Sequence, residues 1–211
     1  MIKTQNLAIG YGKKPLLSDI NIRAEKNSCV CIYGENGCGK TTLLKTLQGF
    51  IPPVSGSAVV GGYNLKDIWN IRKISASVFQ NDDIDRGFPI LAKEAVSLGR
   101  YRINSLKTTD KDREITEKTM KLCNVWDLKD MPYGHLSGGQ QQRVNIATAL
   151  VSEPKILFLD EPGTFLDTES RDLLIETINS LKQNMTLLVV SHYRYFTEAI
   201  ADKVYNLEDF K

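Results

Sequence analysis

No apolar run in this sequence approaches the roughly 18 residues needed to cross a bilayer. The amino-terminal stretch Met1-Ile2-Lys3-Thr4-Gln5-Asn6 lacks the basic and apolar regions of a signal peptide. A spanning or exported chain is therefore not expected, and the cytoplasm is. An excess of one charge is missing too: 27 basic residues nearly cancel 25 acidic ones, and the formal charge of +2 gives no electrostatic case for nucleic acid or an anionic membrane surface. Cysteine is scarce. Four are too few for a disulfide scaffold, and Cys29 and Cys31, two apart in a strand-like run and so on one face, read as reduced core thiols. Repeats and low-complexity tracts are absent. What remains is an ordinary globular composition, 42% hydrophobic and 25% charged over 211 residues, enough for one substantial core.

The chain is organised around one glycine-rich turn, Gly34-Glu35-Asn36-Gly37-Cys38-Gly39-Lys40-Thr41, between the apolar run Cys29–Tyr33 and the helical stretch Thr42–Leu47. Glycines let successive backbone N–H groups turn inward, and the helix that follows points about half a positive charge at the same spot. An anion belongs there. Lys40 adds a full charge for the outer phosphates of a nucleotide, and the Thr41 hydroxyl is placed to hold a magnesium ion. Gly34, Asn36, Gly37, Cys38, Gly39, Lys40, Thr41 and Thr42 are thus candidate nucleotide-binding residues. The loop resembles the Walker A loop of P-loop nucleotidases. A strand-to-helix turn with an incidental lysine is the bland alternative, and the complete pattern weighs against it.

Taken in order, Ile2–Leu7 alternates loosely into the turn Gly10-Tyr11-Gly12, whose exposed ring could stack on a base face. Residues 16–23 read as one alternating strand, Pro52-Pro53 as the close of the helix after the glycine loop, and Val54–Gly62 as a hairpin at a sheet edge. The strand-like Ile74–Phe79 ends at Gln80, followed by a polar turn through Asn81-Asp82-Asp83. Gln80 would leave the sheet on the edge where ligands of open α/β sheets gather. From about residue 83 to 151 strand signals vanish, and stretches such as Lys93–Leu98 and Asp110–Leu122 read as a helical lobe inserted in an α/β core.

That lobe ends in Leu136-Ser137-Gly138-Gly139-Gln140, ahead of a helix with Val144, Ala147, Leu150 and Val151 at helical spacing. By itself Ser137 is a helix N-cap; as a second exposed helix N-terminus it is also a second phosphate site. Lys155–Leu159 is an apolar strand delivering Asp160 and Glu161 at its end. Asp160 suits a magnesium shell, and Glu161 is placed to align and polarise an attacking water. A second buried strand, Thr186–Val190, ends at Ser191-His192, and a strand-like Lys203–Leu207 precedes the last residue, Lys211, so no regulatory tail is expected.

Together, GENGCGKT at 34–41, Gln80, LSGGQ at 136–140, ILFLDE at 156–161, FLD at 165–167 and His192 resemble the ATP-binding cassette family in order and spacing over nearly the whole chain. The resemblance implies an α/β P-loop core with a mostly parallel sheet, an antiparallel β region at the amino end, and the helical subdomain inserted at about 83–151 of a single 1–211 domain. It implies ATP and Mg2+ as cofactors, with Glu161, His192, Lys40 and Gln80 as catalytic candidates and Thr41, Gln80 and Asp160 around the metal. Tyr11 would stack on adenine. Ser137, Gly138, Gly139 and Gln140 would complete the ATP site of a second cassette packed head to tail, in a homodimer or pseudo-dimer, and Asp167 would signal across that dimer. His192 would contact the γ-phosphate.

The same resemblance implies an ATPase on the cytoplasmic face of a membrane, with transmembrane permease subunits and a substrate-binding protein as partners and no nucleic acid. The stretch Phe88–Tyr101 is similar to the corresponding segment of importers for metal ions and iron chelates, with a generic solvated helix as its plain reading and an exporter or a different importer as rivals. A soluble ATPase acting on ribosomes, DNA or iron-sulfur assembly is the rival class. It is disfavoured because Gln80 and Leu136 are too close for a long coiled coil and only one cassette is present. Two departures from the family pattern stand out: Gly163-Thr164-Phe165 replaces the common Thr-Ser-Ala, and Tyr193 follows His192 where an aspartate is common.

Overall fold

The computed structural model describes residues 1–80, 89–104, 108–164 and 166–210, without the side chains of 102–104. The expected turn at 81–83, the first residue of the 88–101 segment, Phe165 and Lys211 lie outside the described residues. In chain order the strands are β1 (Ile2–Ile9), β2 (Leu17–Ile20), β3 (Arg23–Ala24), β4 (Cys29–Tyr33), β5 (Ser55–Val60), β6 (Tyr63–Asn64), β7 (Ser75–Val78), β8 (Ile156–Asp160), β9 (Thr186–Ser191) and β10 (Lys203–Asn206). The helices are α1 (Lys40–Leu47), α2 (Ile68–Ile74), α3 (Ala92–Asn104), α4 (Asp110–Leu122), α5 (Gly138–Leu150), α6 (Thr168–Leu181) and α7 (Arg194–Ile200). The helices α3 to α5 all fall between β7 and β8 in the chain.

Two sheets form. One is parallel, in the order β10-β4-β9-β8-β7. Its central strands are buried on both faces, which explains why they read as unbroken apolar runs. Alternate residues feed two separate cores. Cys29, Cys31, Leu157, Leu159, Leu187 and Val189 face the α5 and α6 side. Val30, Ile32, Ile156, Phe158, Leu188 and Val190 face α1 and the second sheet. All four cysteines are free thiols. Burial pushes the Cys123 thiol up to about 12, and contact with Cys29, reinforced by burial, raises that of Cys31, so neither offers a thiolate at neutral pH.

The second sheet is antiparallel, ordered β2-β1-β5-β6 with β3 also on β1, and three expectations are corrected around it. Residues 16–23 are not one strand. Asp19 takes φ 54°, Asn21 is tied by its side chain to Asn6, and the Thr4 hydroxyl donates to Ile20 O at 2.7 Å while accepting from Ile22 N at 2.9 Å. These side-chain bonds replace ladder bonds and split the run into β2 and β3. The Val54–Gly62 hairpin exists, turned by Gly61-Gly62, but β5 is interior: β1 pairs it from Ile2↔Val60 to Ala8↔Ser55, leaving β6 at the edge. Helix α1 ends at Gln48 and Gly49, which takes φ 72°, ahead of Pro52-Pro53.

The sheet is also fastened near its lower end by Asp202, which accepts from Cys29 N at 2.8 Å and pairs with Lys182 at 2.9 Å. Partial burial pushes this carboxyl up, but the Cys29 hydrogen bond and the Lys182 ammonium outweigh it, so it sits below the ordinary carboxylate range. Its native value is thus lower than its unfolded one. The stabilisation it gives is present above the unfolded carboxylate range and is lost as pH falls through the native value. Denaturant unfolding is expected to show a smaller loss of stability on acidification in Asp202→Asn than in the parent chain; equal losses would remove Asp202 from the acid response.

Candidate active site

Parallel register decides where the functional residues emerge. Tyr33 pairs with Ser191, Asp160 with Val190, and Val78 with Leu159, so the carboxyl ends of β4, β7, β8 and β9 finish on one edge. The glycine loop, Gln80, Asp160-Glu161 and His192 all follow those ends, as an open α/β sheet places its ligand residues. A cleft of about 390 Å³ on this edge is lined by Tyr11, Leu16, Asn36, Gly37, Gly39, Lys40, Thr41, Thr42, Gln80 and Glu161. Tyr11 is 70% exposed at its mouth.

The loop needs glycine for stated reasons at two positions. Gly37 and Gly39 take φ 81° and 109°, which L side chains rarely adopt. Gly39 is the N-cap residue of α1 and has no side chain to cap it, so the first N–H groups of the helix remain available to an anion.

Charge in the cleft is closely arranged. The buried Lys40 ammonium donates to Gly34 O at 2.7 Å and Glu35 O at 2.9 Å and lies 3.0 Å from Glu161 Oε1. The other oxygen, Oε2, takes the His192 backbone N–H at 3.2 Å and lies 2.8 Å from His192 Nδ1. Glu161 is thus held from both sides. Its own φ is 51°, a left-handed conformation that costs about 1–2 kcal/mol for a residue with a Cβ, and its N–H is fixed to Val190 O at 2.9 Å. Such strain is maintained where a side chain must be aimed.

Beside it, the Thr41 hydroxyl donates to Asp160 Oδ2 at 2.7 Å. Burial pushes the Asp160 carboxyl above its ordinary range, and the Thr41 bond pulls it part of the way back. Its Oδ1 is buried with no hydrogen-bond partner among the described residues. A buried carboxylate oxygen without a donor, next to a hydroxyl, is a donor set that suits a hard divalent cation.

The Ser137–Gln140 turn is not part of this cleft. Ser137 caps α5 with a reciprocal box: its hydroxyl accepts from Gln140 N at 3.3 Å and the Gln140 side chain accepts from Ser137 N at 2.9 Å. Asp167 caps α6, accepting from Ser170 N at 2.7 Å, and that bond holds its exposed carboxyl below the usual range. The two helix starts are packed together. A Cβ on Gly139 would overlap the Ser170 side chain, whereas one on Gly138 would meet open space. Gly139→Ala is therefore expected to destabilise the chain by about 1–3 kcal/mol through overpacking, and Gly138→Ala to be neutral or stabilising. Denaturant midpoints would check this, and equal effects of the two would refute the packing argument.

Comparison with known proteins decides the lineage. Residues 17–164 match the family described as ABC transporter. The chain belongs to that family. It is 33% identical to the energy-coupling factor transporter ATP-binding protein EcfA1 of Caldanaerobacter subterraneus subsp. tengcongensis, over 100% of this chain and 78% of the relative. It is 31% identical to the high-affinity zinc uptake system ATP-binding protein ZnuC of Bacillus subtilis, over 99% of this chain and 91% of that one. Among solved structures, cbiO1 from Clostridium perfringens, part of the ABC transporter complex cbiONQ, superposes with a TM-score of 0.86 at 28% identity, covering 97% of this chain and 83% of cbiO1. This cassette is accordingly an ATP-binding subunit and an ATPase.

Several residues beside the site carry no signal in the sequence. Arg143 lies one turn into α5, buried, with Nε and Nη1 unpartnered among the described residues; burial lowers its pKa against the pull of Asp167. Ser170 and Arg171 of α6 reach the Gly139 and Leu166 backbones. Tyr193 stands out in the sequence only as a departure from the family pattern. Periodicity marks such residues as ordinary helix or turn positions, and none carries a motif of its own.

Proposed function

We propose that this cassette drives uptake of a metal ion or metal chelate through separate transmembrane subunits, two cassettes closing head to tail on two ATP molecules. The likeness to cassettes named for zinc uptake, at 31% identity, and for manganese transport, MntB of Bacillus subtilis at 35% identity over 90% of this chain, carries the choice of substrate class. The relatives named are transport proteins, which does not favour a ribosome, DNA or iron-sulfur role. A second importer reading, of the energy-coupling-factor type, is supported by EcfA1 and cbiO1.

In the mechanism, Tyr11 stacks on the base and the α1 N-terminus with Lys40 takes the phosphates. Thr41, Asp160 and Gln80 would hold Mg2+, which when bound would supply charge neutralisation to the phosphate oxygens. Phosphate draws the Lys40 ammonium away from Glu161, leaving Oε1 free to accept a proton from the attacking water. His192 keeps Oε2 fixed from the other side. The Ser137–Gln140 turn, lying outside its own chain's cleft, is available to cover the phosphates of a second copy, with Asp167 beside it at that interface. Exposed apolar side chains suit permease docking: Phe50, Trp69 and, on α3, Leu98 and Tyr101.

The test is affinity capture from detergent-solubilised native membranes, using Glu161→Gln with ATP and magnesium to hold the closed state. Recovery of a polytopic membrane protein with a metal-binding partner is the expected result. Ribosomal or other soluble assemblies in its place would overturn transport while leaving the ATPase intact.

A further inference from the structure

His192 is restrained in more than one direction, and the second restraint comes from a residue with no assigned role. A hydrogen bond from Nδ1 to Glu161 fixes where the imidazole edge points but leaves the ring free to turn about that bond, since the χ2 well of histidine is broad. Tyr193 removes that freedom. Its ring centroid lies 4.1 Å from that of His192 with 39° between the planes, a tilted contact closer than the usual ~4.5–7 Å of aromatic pairs, so the two rings touch and neither can turn without moving the other. The Tyr193 ring is itself held. The Arg171 guanidinium carbon lies over it, 5.8 Å from the centroid. The same guanidinium donates through Nη2 to Leu166 O at 2.8 Å, next to the Asp167 cap. The Tyr193 backbone is pinned as well, its N–H donating to Ser191 Oγ at 3.1 Å and its carbonyl accepting from the Thr197 hydroxyl at 2.9 Å.

We infer that Tyr193 is a positioning residue: its ring sets the plane of the His192 imidazole and links that imidazole, through Arg171, to the loop that carries Asp167. The inference rests on the proposed roles of Glu161 and His192. An aspartate at this position, common in the family, has no ring to stack, so the contact belongs to this chain's own sequence. Tyr193 is 38% exposed and outside both cores, and its replacement leaves the fold's packing in place.

The experiment combines proton NMR with steady-state kinetics on the full chain. The chain has two histidines, so His135→Gln assigns the His192 ring signals. In the parent these are expected to be displaced by the neighbouring ring current, to stay so in Tyr193→Phe, and to move to ordinary positions in Tyr193→Ala and Tyr193→Leu. The kcat for ATP is expected to fall roughly three- to tenfold in Tyr193→Ala and Tyr193→Leu, the worth of one aromatic pair. KM should be unchanged and Tyr193→Phe should match the parent. His192 signals that do not move in the ringless variants would overturn the stack. Full kcat despite moved signals, or a fall shared by Tyr193→Phe, would overturn positioning by the ring. Glu161→Gln run alongside separates these outcomes from failure of the underlying reading: near-normal turnover in that variant would sink the base assignment itself.

Discussion

Lys40→Ala is expected to weaken ATP binding by about a hundredfold or more. Hydrogen bonds from a charged donor are worth about 1.5–3 kcal/mol each, and the ammonium offers several to phosphate oxygens. The loss is compounded by what the lysine leaves behind. Lys40 lies 3.0 Å from Glu161 Oε1, both side chains being 5% exposed. Without it, a buried carboxylate faces incoming phosphate with its own charge unopposed. Titration with a fluorescent ATP analogue measures the effect, and circular dichroism confirms that the variant is folded. Normal affinity in a folded Lys40→Ala would refute the loop as the phosphate site.

Glu161→Gln is expected to lower ATP turnover by about 10²–10⁴-fold, the usual worth of a general base, with ATP affinity preserved. Glutamine has nearly the same shape, can still accept at one oxygen, and can keep the contact with the His192 backbone N–H. What it loses is the capacity to take a proton. Phosphate release under saturating ATP is the measurement, and near-normal turnover would remove Glu161 from that role. The two variants separate binding from chemistry: one is expected to fail in affinity, the other in kcat.

The parts of this fold legible in the sequence were those written in local pattern. Unbroken apolar runs at β4, β8 and β9 mark strands buried on both faces, and glycine spacing marks the loop that follows β4. Because parallel strands must end together, that alone brought Gln80, Asp160, Glu161 and His192 to one edge. What could not be read depends on partners far away in the chain. The β2–β3 break arises from Thr4 and Asn6 meeting residues 20 to 22, and the interior place of β5 from its pairing with β1. Nor does sequence announce that Lys40 meets Glu161, that Gly139 packs on Ser170, or that Tyr193 lies against His192. Motif spacing named the candidate groups for the chemistry; the contacts that aim them required the structure.

The proposed second phosphate site at Ser137–Gln140 likewise depends on a partner outside the chain. A serine capping a helix is an ordinary device, and in this chain Ser137 and Gln140 satisfy one another. The claim that they serve ATP bound to another copy is therefore an intermolecular one, and it is tested by assembly state. Sedimentation velocity of Glu161→Gln, with and without magnesium and ATP, is the most direct measurement. A monomer is expected without nucleotide and a dimer with it, and the ATP-induced dimer should be lost when Ser137 is replaced by a bulky residue. A chain that stays monomeric with ATP bound, or is equally dimeric without it, would contradict the shared site.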